Sequence, residues 1–258
     1  MSAGPPVSIV MAAHNAAASV GDAIDSILSQ SFTAWMLLVV DDGSTDATYG
    51  VVSDYASRDS RLRLIRNHSN RGLACSLNAA IAQIRSDLIA RMDADDRSLP
   101  DRLQVQTEFM NDHRDVDVLG TAAILLGCQT ASHAIFDRPE RHEDLVKEIY
   151  LRNPFIHPSV MFRRAFVNRM GGYAEDLRRA QDYDLWLRAY RSSVFHNLQR
   201  PLIEYRMRRR ITLGHAASTA RVLWRSARRE GIAINHAWRV IRPLVAYFAR
   251  YAGYKARY

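Results

Sequence analysis

Residues 35–46 read Trp-Met-Leu-Leu-Val-Val-Asp-Asp-Gly-Ser-Thr-Asp. The six apolar positions from Trp35 to Val40 do not alternate with polar ones, so they describe a strand covered on both faces, as in a mostly parallel sheet between layers of helices. The run stops abruptly at Asp41 and Asp42, which places two carboxylates at the carboxyl end of a buried strand. Gly43 then permits a turn conformation closed to other residues. A carboxylate at such an end can accept hydrogen bonds from a base N–H or ribose hydroxyls, although Ser44 or Thr45 capping the next helix would account for part of the same pattern.

The pattern repeats outward from this stretch. Val7–Ala13 is a second buried strand, and Ser19 with Asp22 three residues later predicts a capping box before a helix whose buried face carries Ile24, Ile27 and Leu28. A helix over Ala47–Ser57, a strand at Leu62–Ile65, a helix over Leu73–Ile84 and a strand at Leu88–Met92 follow, and Pro100 is placed to open the next helix. Alternation of this kind predicts an α/β sheet with ligands beyond the carboxyl ends of the strands. Farther on, strands are predicted at Val116–Leu126, Ser159–Phe162, Val194–Leu198 and Leu202–Tyr205. Helices are expected over Glu143–Leu151 and Asp182–Arg191, and throughout from about residue 211.

A second acidic group, Asp93-Ala94-Asp95-Asp96, stands at another strand end. Three carboxylates within four residues repel one another, and a hard divalent cation, Mg2+ or Mn2+, is the usual means of holding them. A third element, Gln181-Asp182-Tyr183-Asp184-Leu185-Trp186, sets Asp182 at a helix start, either as the cap or as a base that takes a hydroxyl proton. Trp35 and Trp186 are assigned to the core, and Gly171-Gly172 to a turn before Tyr173.

Composition narrows the class. The 258 residues suffice for one large domain or a domain with an appendage. Cys75 and Cys128 form no zinc-binding spacing and suit a reducing compartment. The first residues carry no basic charge ahead of a short apolar run, so a cytoplasmic protein is expected. The formal charge of +8 is uneven, with residues 201–258 carrying +11 and the remainder −3. A nucleic-acid binder through that tail would leave the acidic clusters unexplained. In Trp238–Tyr251, Trp238, Ile241, Val245 and Phe248 recur at helical spacing among arginines, the pattern of a helix lying on an anionic membrane surface.

Four segments taken together, VSIVMAAHN at 7–15, VVDDGSTDAT at 39–48, NRGLACSLNAAI with ARMDADDRSLPDRL between 70 and 103, and HPSVMFRR with GGY and QDYDLWLRA between 157 and 189, resemble the family 2 glycosyltransferases of the GT-A fold. The resemblance spans about residues 7–206. It implies a GT-A catalytic domain over 1–210, donor-binding to about 115 and acceptor-binding over 116–210, followed by a basic helical extension over 211–258. Ala13, His14, Asp41 and Asp42 would line the nucleoside pocket, with Arg71 near the nucleotide. Asp95 would be the principal metal ligand, Asp93 would contact ribose or metal, and Asp96 would orient donor sugar or metal shell. Asp182 would be the base of an inverting transfer, and His157 would stand on the acceptor side.

Two departures from the family pattern bear on the chemistry. Gln181 stands where the family often has Glu, and Arg208 where many members have His, so Arg208, Arg209 or Arg210 would instead contact the diphosphate, with His215 a weaker ligand candidate. The signature and membrane spans of processive synthases are missing from the chain, which favours adding a single sugar from a nucleotide-sugar donor, UDP first, to a saccharide or lipid-linked acceptor. A nucleotidyltransferase would need a glycine-rich basic loop where this chain has Ala12-Ala13-His14-Asn15. A catalytically silent scaffold would not need Asp93, Asp95 and Asp182.

Overall fold

Val7–Ala13 forms strand β1, Trp35–Asp41 β2, Leu62–Arg66 β3 and Leu88–Asp93 β4, all parallel, in the order β3-β2-β1-β4. They belong to a computed structural model that describes residues 6–126, 134–206 and 213–231. Because successive side chains point to opposite faces, one continuous apolar run supplies two cores. Val10, Leu38, Val40 and Ile89 pack with Leu77 and Trp186 on one side. Ile9, Met11, Leu37 and Val39 pack with Ile24, Ile27 and Leu103 on the other. Both tryptophans assigned to the core are there: Trp35 is 2% exposed and Trp186 is fully buried.

The flanking helices are α1 (Val20–Leu28), α2 (Thr48–Arg58), α3 (Leu73–Ile81) and α4 (Arg102–Asp112). The predicted capping box does not form, since α1 has no side-chain cap and the Ser19 hydroxyl turns back to the Ala16 carbonyl. Pro100 does not open α4 either. It sits in the preceding turn, where its carbonyl accepts from Ser31 N–H at 2.8 Å, because the two-residue strand β5 (Arg97–Ser98) draws the chain into the sheet first.

The second half completes the sheet. Strand β6 (Val116–Leu125) carries the short β7 (Ile135–Phe136), and β8 (Met161–Arg163) lies antiparallel between β4 and β6. Strand β9 (Val194–Tyr205) runs parallel to β6 and pairs antiparallel with β5. Parallel pairs make the long ladders, so the sheet is mixed and mostly parallel. Where two strands were expected over 194–205 there is one. Pro201, which has no N–H to donate, falls at a register irregularity between Thr121 and Ala122 of β6, where the ladder tolerates it. The strand predicted at Ser159–Phe162 starts later, after a single 3-10 turn over His157–Ser159.

Helices α5 (His142–Glu148), α6 (Arg164–Met170) and α7 (Gln181–Ala189) cover this half. Gly171 ends α6 in the left-handed region with φ 71°, and Gly172 N–H returns to the Val167 carbonyl at 3.0 Å, the expected turn before Tyr173. Helix α8 (Leu213–Arg229) packs on α7. Val222 and Leu223 are fully buried in the core that holds Trp186, the Tyr150 and Ser226 hydroxyls meet at 2.8 Å, and Arg221 and Arg225 pair with Asp176. The amphipathic stretch Trp238–Tyr251, Arg208 to Arg210 and Cys128 lie outside the described residues. No described helix is long and apolar enough to cross a membrane.

Candidate active site

The chain order reverses at β1, which has β2 on one side and β4 on the other, so a crevice opens between their carboxyl ends. Register sets what borders it. Ala13 pairs with Asp41 across one edge of β1, and Ala12 pairs with Asp93 across the other. The two acidic segments, far apart in sequence, therefore flank one short piece of backbone at Ala12-Ala13.

On the β2 side the carboxylates are turned into the protein. Asp42 accepts from the Asn67 side chain (2.8 Å), Arg71 N–H (2.9 Å) and Gly72 N–H (2.8 Å). Burial pushes its carboxyl pKa up, but these donors outweigh burial and hold it below the usual carboxylate range. Asp41 is fully buried, accepts from Ser44 N–H at 3.2 Å and lies 3.5 Å from Arg66 Nε. Neither Ser44 nor Thr45 caps α2, whose cap position is Ala47 with no side-chain cap; Asp46, one residue earlier, accepts from Thr48 N–H at 2.9 Å. His14 is exposed, with Nδ1 3.0 Å from the Asp42 carbonyl, and Arg71 is exposed beside it. Gly43, at φ 69°, lies where a Cβ would come within 2.5 Å of the Ser69 carbonyl carbon, so the 41–46 and 67–72 turns can meet only with glycine there.

On the β4 side, oxygens of Asp93, Asp95 and Asp96 lie within 4.8 Å of one another. Burial, with Asp93 and Asp95 alongside, raises the Asp96 pKa to about 7 despite a hydrogen bond from Arg206 N–H. Its other oxygen, Oδ2, is buried with no partner among the described residues. A crowded carboxylate set with an unsatisfied oxygen fits a divalent cation bound through hard oxygen ligands. Arg91 is the resident counter-charge: it is 1% exposed and its Nη2 pairs with Asp93 Oδ1, while its Nε and Nη1 have no partner among the described residues.

From this cluster a cleft of about 780 Å³ extends toward α7 and α8, lined by Asp93, Asp95, His157, Asp182, Tyr205 and His215 among others. It brings together the metal candidates, the base candidate and His157, the acceptor-side candidate. Ala13, His14, Asp41, Asp42 and Arg71 are not among its walls; Leu73, at the start of α3, borders it on their side. Asp182 is the second residue of α7, so it is not the helix cap; that position belongs to Ala180, held left-handed at φ 58°. Burial raises the Asp182 pKa against an opposing hydrogen bond from Asn153 Nδ2 at 2.7 Å. His157 is buried with Nε2 2.9 Å from the Tyr173 hydroxyl, and burial, with the Arg91 charge, drives its pKa well below the ordinary histidine value.

Three positions escaped the sequence reading. Asn153 precedes a proline and resembles a loop residue. Arg91 interrupts an apolar strand, which was the one visible signal. Arg102 is fully buried on α4 and braces the loop of the acidic cluster: its Nη2 donates to the Arg91 carbonyl at 2.7 Å and its Nη1 to Ser98 Oγ at 3.0 Å.

The profile of Glycosyl transferase family 2 matches residues 8–171. The chain belongs to this family. It is 33% identical over 263 residues to EpsE of Bacillus subtilis (strain 168), named as a glycosyltransferase, with 96% of this chain and 91% of that protein covered. S. aureus TarS 1-349 in complex with UDP superposes with a TM-score of 0.72 at 20% identity, covering 94% of this chain and 72% of that one. Mannosyltransferase PcManGT from Pyrobaculum calidifontis, in complex with GDP-Man and Mn2+, superposes with a TM-score of 0.64 at 20% identity, covering 96% and 76%. The chain spans only 38% of the longer TarS structure. This family 2 glycosyltransferase therefore has the GT-A fold, and its Asp-x-Asp segment at 93–95 stands in a carboxylate group close enough together to hold a metal ion.

Proposed function

We propose that this enzyme moves one sugar from a nucleotide-diphosphate donor, UDP first, to a hydroxyl of a lipid-linked or growing cell-surface saccharide, with inversion at the anomeric carbon. The observation that carries the reading is that Asp182 and the Asp93-Asp95 pair line one cleft. Inverting displacement needs a base on the face opposite the departing diphosphate, and a raised pKa suits Asp182 to take the acceptor proton. Asp95 and Asp93 would hold Mn2+ or Mg2+, which when bound stabilises charge on the departing diphosphate. Ala13, His14, Asp41, Asp42 and Arg71 would form the nucleoside side. Asp42 contributes by fixing the backbone of Arg71 and Gly72, and Asp41 by shaping the turn at 41–46. Asp96 would set the metal shell, and His157, neutral, would stand on the acceptor side.

Residues up to about 115 would bind the donor and residues 116–210 the acceptor, with 211–258 as the basic extension. We place the enzyme in the cytoplasm at the inner face of the membrane, held by that extension on anionic lipid. Its charge supports this, as does Trp224, which is 53% exposed on α8 with Arg228 stacked 5.4 Å from its ring centre. Calorimetry with UDP, dTDP and GDP, with and without Mn2+ or Mg2+, tests the donor site. Metal-dependent binding of one nucleotide, lost in Asp95→Ala, supports the reading; no binding by folded wild-type protein sinks it.

A further inference from the structure

We infer that Arg138 and Arg152 form a subsite for a phosphate oxyanion carried by the acceptor, on the wall of the cleft that Asn153 links to Asp182. The inference rests on the sugar-transfer reading and adds the charge of the acceptor to it. Six arginines line the cleft, Arg91, Arg138, Arg152, Arg178, Arg179 and Arg206, against Asp93, Asp95 and Asp182. A divalent cation and a donor diphosphate bring opposite charges of similar size, so they leave that excess in place. Adding Glu148, paired with Arg152, and Asp96 behind the floor narrows the excess without reversing it.

Position divides the arginines between two ligands. Arg91 is committed to Asp93. Arg178 lies 3.5 Å from where a Gly72 Cβ would be and reaches Asn70 Oδ1 at 3.3 Å, on the nucleotide side. Arg206 leaves β9 directly at Asp96, whose Oδ1 accepts its N–H at 2.7 Å, on the diphosphate side. Arg138 and Arg152 belong to the other wall. Arg138 Nε donates to the Asn153 carbonyl at 2.9 Å, and the Asn153 side chain donates to Asp182, so one residue connects this guanidinium to the base.

The Arg138 guanidinium is built to receive an anion. Its head lies 4.2 Å from the Phe136 ring centre and it donates to two main-chain carbonyls, which fixes its plane. No carboxylate pairs with it among the described residues. Burial and then the Arg152 charge lower its pKa, against the opposing carboxylates of Asp137 and Glu148, so the two guanidiniums on this wall repel each other. A phosphate bridging them would relieve that repulsion through the paired N–H geometry that guanidinium offers oxyanions. A neutral saccharide would leave it in place.

The source of the phosphate is either a lipid diphosphate or a phosphodiester within a polymer, and the test separates them. Full-length protein saturated with Mn2+ and UDP is titrated with three probes carrying the same sugar: a short prenyl diphosphate-linked sugar, a methyl phosphodiester of it, and its neutral octyl glycoside. At least one charged probe is expected to bind about tenfold or more tighter than the neutral one, as charge-assisted hydrogen bonds imply. That margin should disappear in Arg138→Gln and shrink in Arg152→Gln, while Arg138→Lys keeps part of it. Whichever charged probe binds names the source. Unaltered Mn2+–UDP affinity in the variants shows that the fold and the donor site are intact. Charged and neutral probes binding alike, no probe binding at all, or a margin that survives Arg138→Gln overturns the inference, whereas loss of Mn2+–UDP binding in the wild type would sink the donor reading instead.

Discussion

Asn153 donates its side-chain amide to Asp182 Oδ2 at 2.7 Å and so holds the orientation of the carboxylate proposed as the base. Burial works against ionisation of Asp182, and this hydrogen bond works for it. As the proposed base, Asp182 would act in its carboxylate form, so kcat/KM should fall as pH drops through a value above the ordinary carboxylate range. Asn153→Ala removes a donor that favours the charged form and should move this acid limb to higher pH. Asp182→Asn should lower turnover by roughly 10²–10⁴ and leave Mn2+–UDP affinity unchanged. A pH–rate profile of the three proteins checks both; an acid limb unmoved in Asn153→Ala would separate Asp182 from the step.

His157 carries a pH dependence of stability. Its folded pKa lies well below the ordinary 6.5, so the unfolded chain takes up a proton that the folded one refuses. The resulting stability is full above about pH 6.5 and is lost as pH falls below it. Urea unfolding between about pH 7.5 and 5 should show a steeper loss for wild type than for His157→Gln, which has no ring to protonate.

Gly43→Ala should destabilise the protein by about 1–3 kcal/mol or more, through its left-handed φ and the 2.5 Å approach to Ser69. The turn it distorts abuts the 67–72 segment, so nucleotide affinity should fall with it. Chemical denaturation and calorimetry on one preparation read both effects.

Arg102→Met tests how the acidic cluster is held. Arg102 fastens the strand before the cluster at the Arg91 carbonyl and the strand after it at Ser98, so its loss should loosen 93–98. Mn2+ affinity is expected to drop about 10–100-fold, the usual scale for residues behind metal ligands. The change in stability should be smaller, because a charge that burial depresses to a pKa of about 9 is itself costly to bury.

What the sequence determined by itself is the half of the sheet that local pattern controls. Near-continuous apolar runs at Val7–Ala13, Trp35–Val40 and Leu88–Met92 are readable because a strand covered on both faces is apolar at almost every position, and the acidic residues that end two of these runs are legible as the places where the apolar pattern stops. Gly43 and the Gly171-Gly172 turn are readable for the same local reason, a backbone conformation that only a few residue types accept. The partners of those acidic residues were decided by tertiary structure. Strand order set Asp41 and Asp93 on opposite edges of β1; β5, two residues long and too short to show a period, brought Arg206 to Asp96 across 110 positions; and the Asn153 loop supplied the donor for Asp182. A hydrogen bond between distant residues depends on which strands become neighbours and in what register, and periodicity within one segment carries no information about its neighbour.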